Sequence, residues 1–278
     1  MELLPYTLKW IEVLLRWSHV LFAILWIGNS FLFNYLDNKL DKNITSKGVD
    51  ADGILQHSGY FYKVSRLQGA PEKFPRNLII FKWQSYLTFI TGIFLLIIIY
   101  YANSEILMID KRVNENITSL MGIAISVFSI IGSWLIYDLI CKSKLINHKI
   151  IFTTTLLIIG VIISYALTKF FGPRFSFLSV GIILGCIMFF NVFTVIIPNQ
   201  KNIVSSALNG TKFDLSLSTK AKTRSGHNNI ITFLVLFIML SGHFSFIWIN
   251  QYNWIILSII AVISGFIRYY FNLRSQKK

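Results

Sequence analysis

The sequence predicts an all-α integral membrane protein, a bundle of about seven transmembrane helices that forms a single domain over residues 1–278. Hydrophobic residues make up 54% of the chain and charged residues only 14%, whereas soluble domains carry roughly 25% charged residues. The mean hydropathy is +0.61. The apolar residues are also gathered into runs of about 20 or more, the length that crosses a bilayer. These observations predict a membrane domain before any motif is considered.

Seven runs are long and apolar enough to span a membrane. They cover roughly residues 8–36, 78–101, 117–140, 150–171, 175–197, 230–249 and 252–271. Joining the last two requires a tight turn around Asn250–Asn253, so six spanning helices with a re-entrant segment is the alternative. Two long polar connections, 37–77 and 198–229, follow odd-numbered helices. They are therefore expected on the same side of the membrane.

The basic residues predict an orientation. Twenty of the 26 lysines and arginines lie on the side of the two long connections and the C-terminus, and six lie on the other side. Because cytoplasmic loops carry the excess of Lys and Arg, we expect the N-terminus outside and the C-terminus in the cytoplasm. The same asymmetry explains the formal charge of +14. The predicted partner of this charge is therefore the lipid bilayer and not nucleic acid.

The first span carries polar residues along one face. At helical spacing, one stripe contains Glu12, Arg16, His19, Ala23, Trp26, Ser30, Asn34 and Asp37. An ionisable group in hydrocarbon costs about 2.5–3.5 kcal/mol on insertion scales. This face is therefore expected to contact protein, water or a bound group.

Two of the five histidines, His19 and His243, lie within predicted spans. With a rise of about 1.5 Å per residue, both fall in the outer half of the bilayer at similar depth. Such a pair on antiparallel helices suits haem b, so we predict both as axial ligands of the haem iron. Arg16 is the predicted partner of a haem propionate, and Trp26 lies near the same site. Alternatively, each histidine hydrogen-bonds a neighbouring helix, and Arg16 extends to the interface.

A second group of polar residues lies at the predicted cytoplasmic ends of the helices. Its members are His57, Lys82, Trp83, Arg224, His227, Asn228 and Asn229. Together they offer cations, amides and aromatic faces, which suit a flat anionic ring. The alternative is a basic surface that meets anionic lipid headgroups. Nearby, Asp138 is expected to pair with a basic loop residue, the alternative being a proton relay.

Several motifs occur in order along the chain. They are Arg16-Trp17-x-His19, Trp26-Ile-Gly28, Leu36-Asp37-Asn38, His57-x-Gly59-x-x-Tyr62, Phe81-Lys82-Trp83-Gln84-x-Tyr86, Ser225-Gly-His227-Asn228-Asn229 and Met239-Leu-Ser-Gly242-His243. From about residue 10 to residue 274 the sequence thus resembles the N-terminal membrane domain of the membrane-bound, cytochrome c-linked bacterial urate oxidases, or urate hydroxylases. One departure is Tyr269, which stands after Arg268 where the resemblance leads us to expect a histidine.

The resemblance implies an oxidoreductase of purine catabolism in a bacterial inner membrane, which oxidises urate to 5-hydroxyisourate and passes electrons to a cytochrome c. Many members carry a cytochrome c domain after the membrane domain. This sequence ends after the seventh predicted helix and has no Cys-x-x-Cys-His motif, so a separate cytochrome c is the expected acceptor, reached through haem b. Catalysis is assigned to His57, Lys82 and His227, and substrate binding to Trp83, Arg224, Asn228 and Asn229.

Two functions from other classes stay open at this point. One is a non-catalytic b-type haem subunit for electron transfer, and the other is a membrane transporter in which His19 and Arg16 belong to a proton or anion path. Haem content separates the transporter from the two haem proteins. Reduction of that haem by urate separates the oxidase from the electron carrier.

Overall fold

The computed structural model describes residues 3–43, 48–67, 69, 71, 78–212 and 214–276, and within these the side chains of residues 6–271. In chain order the elements are α1 (Leu3–Lys39), β1 (Val49–His57), β2 (Tyr60–Leu67), α2 (Trp83–Leu95), α3 (Ser104–Leu107), α4 (Ser119–Lys142), α5 (Lys149–Leu167), α6 (Pro173–Phe190), α7 (Ile197–Leu208), α8 (Leu215–Ser241), α9 (Ser245–Trp248) and α10 (Asn253–Gln276). Of the basic residues counted for the orientation, Lys47, Lys73, Arg76, Lys277 and Lys278 lie outside the described residues.

Six helices in the described part of the chain are long and apolar enough to cross a membrane. They are Tyr6–Lys39, Trp83–Tyr101, Ser119–Lys142, Lys149–Leu167, Pro173–Leu208 and Asn253–Phe271. The second consists of α2 and a π-helical segment, Leu96–Tyr101, that continues it. The predicted span 230–249 is not one continuous helix. Its first part is the end of α8, and a break at Gly242–Phe244 separates this part from α9. The first half of α8 is polar, so α8 does not meet the hydropathy criterion although it packs inside the bundle.

The predicted polar connection 198–229 is mostly helical. A π-helical segment, Asn191–Ile196, continues α6 directly into α7. It lies just before Pro198, whose nitrogen cannot donate to a helical carbonyl. The carboxylate of Asp214 then caps α8 by accepting the backbone N–H of Ser216 at 2.8 Å. Helix α8 begins at Leu215, seven positions after the last residue of α7.

The predicted connection 37–77 contains a β-hairpin, which the all-α prediction missed. Strands β1 and β2 pair antiparallel from Val49↔Leu67 to His57↔Tyr60. Ser58 and Gly59 form the turn with φ of 49° and 82°, the positive values that a two-residue hairpin turn requires. At the other end of the hairpin, Arg66 bonds Asp50 on β1 and Asp37 at the end of α1.

The polar stripe of α1 faces the protein, as predicted. Its members from His19 to Asn34 are all partly buried. The imidazole of His19 meets α2, where its Nδ1 lies 2.9 Å from the carbonyl oxygen of Thr88. Further along, Ser30 donates to Asn229 of α8 at 3.0 Å. The stripe therefore joins α1 to two helices of the bundle.

Candidate functional site

A cluster of buried polar residues joins α4, α8 and the π-helical segment after α6. Its members are Tyr137, Asp138, Asn191, Arg224 and Asn228, each less than 7% exposed. Buried polar groups of this kind must satisfy one another because no water replaces a missing partner. Asn191 is the first residue of the π-helical segment, and such segments often occur at functional sites.

Three charges meet at the α4 side of this cluster. The carboxylate of Asp138 accepts from Arg224 at 2.5 Å and from Lys142 at 2.6 Å. Asp138 and Arg224 are both buried, whereas the side chain of Lys142 is 69% exposed. The expected pairing of Asp138 with a basic residue is confirmed, although its buried partner lies within α8 and not in a loop. The cluster keeps one net positive charge.

The amides of the cluster are oriented by Arg224, which can only donate hydrogen bonds. It donates to Oδ1 of Asn191 at 3.0 Å, so the amide nitrogen of Asn191 must face away. That nitrogen donates to the hydroxyl of Tyr137 and to Oδ1 of Asn228. The amide nitrogen of Asn228 then donates to the carbonyl of Met188. The network therefore has one consistent direction.

His227 lies at the end of this network. Its Nδ1 is 2.8 Å from the hydroxyl of Tyr137, and its ring stacks on Phe152 with centroids 5.1 Å apart. Because Tyr137 already accepts from Asn191, its own proton is best used by donation to Nδ1 of His227. In that arrangement Nε2 carries the imidazole proton. His227 thus offers an N–H donor on the side away from Tyr137.

A cavity of about 1220 Å³ lies beside the cluster, between α5 and the helices α4, α6, α8 and α10. Arg224, His227 and Tyr137 are in its wall, together with Lys142 and Phe152. This volume exceeds the roughly 300–1,000 Å³ of most small-molecule sites. The buried network thus forms one polar wall of a large cavity.

The structure brings together only some of the residues predicted to form the substrate site. Arg224, His227 and Asn228 lie in one cluster. Asn229 points to α1 instead, where it accepts from Ser30. Lys82 and Trp83 lie at the start of α2, with the ammonium of Lys82 5.4 Å from the Trp83 ring centroid.

His57 is placed at the tip of the hairpin, next to the turn. It lies seven positions beyond Asp50 at the anchored end, which is about 23 Å along a strand. The side chain is exposed, like those of Tyr60 and Phe61 beside it. Its place in a common site with His227 stays a prediction.

The predicted haem ligands lie on α1 and just after α8. The Nδ1 of His19 carries the proton because the Thr88 carbonyl can only accept, and Nε2 is left for a metal, which is the orientation that ligating histidines usually have. His243 is exposed in the turn after α8. The contact between Ser30 and Asn229 sets a common level on the antiparallel helices α1 and α8. Measured from that level toward the same side, His19 lies about 16 Å along α1 and His243 about 21 Å along the direction of α8. The two histidines therefore fit a haem in depth.

The other predicted haem contacts differ in exposure. Arg16 forms an ion pair with Glu12 at 2.7 Å, and its side chain is 54% exposed. Trp26 is partly buried on the inner face of α1. Among the described residues, no group of three or more His, Cys, Asp or Glu could hold a free metal ion.

Sequence reasoning missed Asn191, Tyr137 and Phe152 as neighbours of His227. The available signal for Asn191 was a single amide in an otherwise apolar run, because a buried polar group in a span demands a partner. Gln84 was named in a motif but given no role. Its carboxamide oxygen is buried without a hydrogen-bond partner in the described structure.

The fold and the site define a class of protein: a helical membrane protein with a buried, internally satisfied polar network beside an intramembrane cavity. Within this class, the chain belongs to the urate oxidase N-terminal family, whose model matches residues 5–278. The resemblance predicted from the motifs is therefore confirmed. No match to the chain is found among curated proteins or solved structures.

Proposed function

We propose that the protein is a membrane-bound urate-oxidising oxidoreductase, with urate bound at the polar wall of the cavity. The observation that carries the proposal is the convergence of Arg224, His227 and Asn228, three residues of the predicted substrate site, in one network. Membership of the urate oxidase N-terminal family supports the same substrate. The proposed reaction is urate plus water to 5-hydroxyisourate, two protons and two electrons.

Urate is flat and anionic at neutral pH, and the polar wall matches both properties. The N–H at Nε2 of His227 would donate to an anionic edge of the purine. Phe152, which already stacks on His227 at 5.1 Å, borders the same space with an aromatic face. Arg224 holds Asn191 and, through it, Tyr137. In this proposal Arg224 and Asn228 act by fixing the orientation of His227, and Arg224 adds positive charge.

Haem b, held by His19 and His243, would supply the one-electron carrier between substrate and a cytochrome c. The hydrogen bond from Nδ1 of His19 to Thr88 sets the ring orientation that such a ligand needs. Arg16 and Trp26 lie further along the same face of α1. Roles for His57, Lys82 and Trp83 in catalysis or binding stay predictions.

The first experiment is an anaerobic visible spectrum of the purified protein, recorded before and after urate is added. Haem bands that become reduced by urate are expected. Haem that is reduced by dithionite but not by urate would contradict the oxidase and favour the b-type electron-transfer subunit. Absence of haem after haem-replete expression would contradict both.

Paired histidine variants test the substrate site. His227→Gln is expected to slow urate-dependent reduction by about 10²–10⁴-fold, the usual loss when a proton-transfer group is removed. His148→Gln is the matched control, because this histidine is exposed and does not line the cavity. Calorimetric titration with urate should show binding lost in the first variant only. Equal effects of the two variants would contradict the site.

The transporter is the second candidate, and the length of the cavity favours it. Its lining on α5 runs from Lys149 to Ser164, which is about 22 Å of helix in a hydrocarbon core of about 30 Å. Uptake of labelled urate into proteoliposomes without any electron acceptor would support transport. Reduction of haem without uptake would support the oxidase.

A further inference from the structure

The cavity is amphipathic along its length. On α8 its lining residues recur at helical spacing, from Ser216, Thr219 and Lys220 at one end to Ile230, Ile231 and Leu234 at the other. On α5 the lining likewise changes from Lys149 and Thr153 to Leu156 and Leu157. Both helices therefore place their charged lining residues at the same end of the cavity, which is called here the basic rim, whereas Ser164 of α5 lies at the other end.

The basic rim carries excess positive charge. Five cations line the cavity, namely Lys142, Lys144, Lys149, Lys220 and Arg224, and no Asp or Glu lines it. Asp138 behind the wall pairs with Lys142 and Arg224 only. In the described part of the chain, Lys144, Lys149 and Lys220 form no ion pair within 4 Å, although Lys220 attracts the carboxylate of Asp214 at the start of α8. Three ammonium groups on the α4–α5 link, α5 and α8 thus line the rim.

The depth of the basic rim in the membrane indicates which kind of ligand it can bind. Helix α5 has 19 residues, which is about 28 Å and matches a hydrocarbon core of about 30 Å. Its first residue, Lys149, therefore lies at the depth of lipid phosphates, and Leu156 and Leu157 lie about 10–12 Å deeper. A phosphate at the rim would place an acyl chain along the apolar part of the wall.

The packing of α5 leaves room for that chain. Helix α5 packs mainly on α6 and α10, and apart from the stacking of Phe152 on His227 the cavity separates it from α4 and α8. A purine fills only a small part of 1220 Å³, and apolar wall left in contact with water would be costly. In a membrane, the acyl chains of lipids can fill such an apolar gap.

We propose that this cavity is a binding site for an anionic phospholipid, with its phosphate at Lys144, Lys149 and Lys220 and one acyl chain between α5 and α8. The contacts differ from those of the proposed urate site, but on α5 and α8 Phe152 and His227 lie between the rim lysines and the apolar wall, so lipid and urate would share the cavity. A bound lipid would complete the packing of α5 against α8. Free phosphate shares the headgroup chemistry but has no chain to fill the apolar part.

The test compares ligands on the delipidated protein in detergent. Phosphatidylglycerol is expected to raise the melting temperature and to saturate at one molecule per chain by native mass spectrometry. Phosphatidylcholine with identical chains and inorganic phosphate are expected to give much smaller shifts. Equal stabilisation by phosphatidylcholine would overturn the headgroup assignment. An equal shift with inorganic phosphate would overturn the lipid and leave only an anion site.

Matched variants test the two ends of the site. The triple variant Lys144→Gln, Lys149→Gln and Lys220→Gln is expected to weaken phosphatidylglycerol binding about a hundredfold. Its control is a triple variant at lysines that do not line the cavity: Lys9→Gln, Lys201→Gln and Lys212→Gln. Leu157→Trp should block the chain, whereas Ile158→Trp, at the next and 55% exposed position, should not. Unchanged lipid binding in the rim variant or in Leu157→Trp would overturn the proposal.

A phosphatidylglycerol with a photoreactive group in one acyl chain keeps the test decisive if Leu157→Trp does not fold. Irradiation of the unaltered protein is expected to label the apolar lining of α5 and α8, around Leu156, Leu157 and Leu234. Labelling spread evenly over the outward face of the bundle would instead identify surface lipid and overturn the site. The result is independent of urate oxidation, so a failure here would not bear on the proposed function.

Discussion

At the scale of the residue, Asp138 and Arg224 are unequal partners. Asp138 has two cations, Arg224 at 2.5 Å and Lys142 at 2.6 Å. Arg224 has one carboxylate and one amide oxygen. Removal of the carboxylate leaves a buried guanidinium without an anion, whereas removal of the guanidinium leaves the carboxylate paired.

Asp138→Asn is therefore expected to lower the free energy of unfolding more than Arg224→Gln does. Loss of one partner of a buried pair costs about 3–5 kcal/mol, and we expect Asp138→Asn in this range. Arg224→Gln should cost about 1–3 kcal/mol, the range for a lost charged hydrogen bond. Equilibrium unfolding in detergent measures both changes.

The control for this comparison is the surface pair of Arg112 with Asp110, in which the arginine side chain is 90% exposed. Arg112→Gln should change the free energy of unfolding by less than about 1 kcal/mol. If Arg224→Gln were the more damaging of the two buried variants, the proposed role of Lys142 as second partner would be wrong.

At the scale of the element, α1 and α2 pack closely where His19 meets Gly92. A Cβ added at Gly92 would lie 2.9 Å from Cε1 of His19, which is too close for unchanged packing. The absence of a side chain at this position lets the imidazole reach the Thr88 carbonyl of α2. The glycine is required here by space and not by backbone conformation.

Gly92→Ala is accordingly expected to destabilise the α1–α2 contact by about 1–3 kcal/mol, the usual cost of overpacking. In the double variant with His19→Ala, the two losses should be less than additive, because the clash disappears with the imidazole. Gly132→Ala in α4 is the control, since nothing lies within 4 Å of its added Cβ. Strict additivity of the two changes would show that His19 does not occupy this position.

The β-hairpin is a second element with a testable interaction. On β1, Asp52 accepts from Lys63 at 3.0 Å and from Ser65 at 2.8 Å, both on β2. These hydrogen bonds, led by that of Lys63, lower the pKa of the Asp52 carboxyl. The ionised carboxylate thus stabilises the pairing of the two strands.

Because the pKa is lowered on folding, this stabilisation is fully present above the ordinary Asp pKa of about 3.9 and is lost as the pH falls through the lower folded value. Amide hydrogen exchange across the hairpin, corrected for the intrinsic rate, should be constant from neutral pH to about pH 5. It should increase on further acidification. In Asp52→Asn, faster exchange is expected above about pH 5, without the increase on acidification, and a pH profile like that of the unaltered protein would contradict the assignment.

At the scale of the whole molecule, the distribution of basic residues predicts the orientation of the bundle. The two native cysteines, Cys141 and Cys186, are both buried, so an introduced cysteine can be labelled against a low background. Lys169 follows α5 and Lys201 lies in α7, on opposite predicted sides.

An impermeant maleimide is expected to label Lys169→Cys on intact cells, and Lys201→Cys only after permeabilisation. This follows because cytoplasmic segments carry the excess of lysine and arginine. Unaltered protein is the control for the native thiols. The reverse labelling pattern would place the N-terminus in the cytoplasm and invert the proposed topology.

Part of the fold and of the site was predictable from local pattern. The stripe from His19 to Asn34 was predictable because a helix places residues three and four apart on one face. The family was predictable because its motifs are short and ordered. The hairpin carried a local signal as well, a Ser58-Gly59 turn between two strand-like segments, but the prediction treated 37–77 as a plain polar connection.

The sequence by itself determined the membrane class, the six long apolar helices and the family, because hydropathy, helical spacing and motifs depend on residues close together in the chain. Only the tertiary structure decided that Arg224, Asn191, Tyr137 and His227 form one network and that His57 is placed at a hairpin tip. Hydrogen bonds such as Arg224–Asn191 join residues 33 positions apart. Such partners are chosen by the packing of α4, α6 and α8, which no local pattern contains.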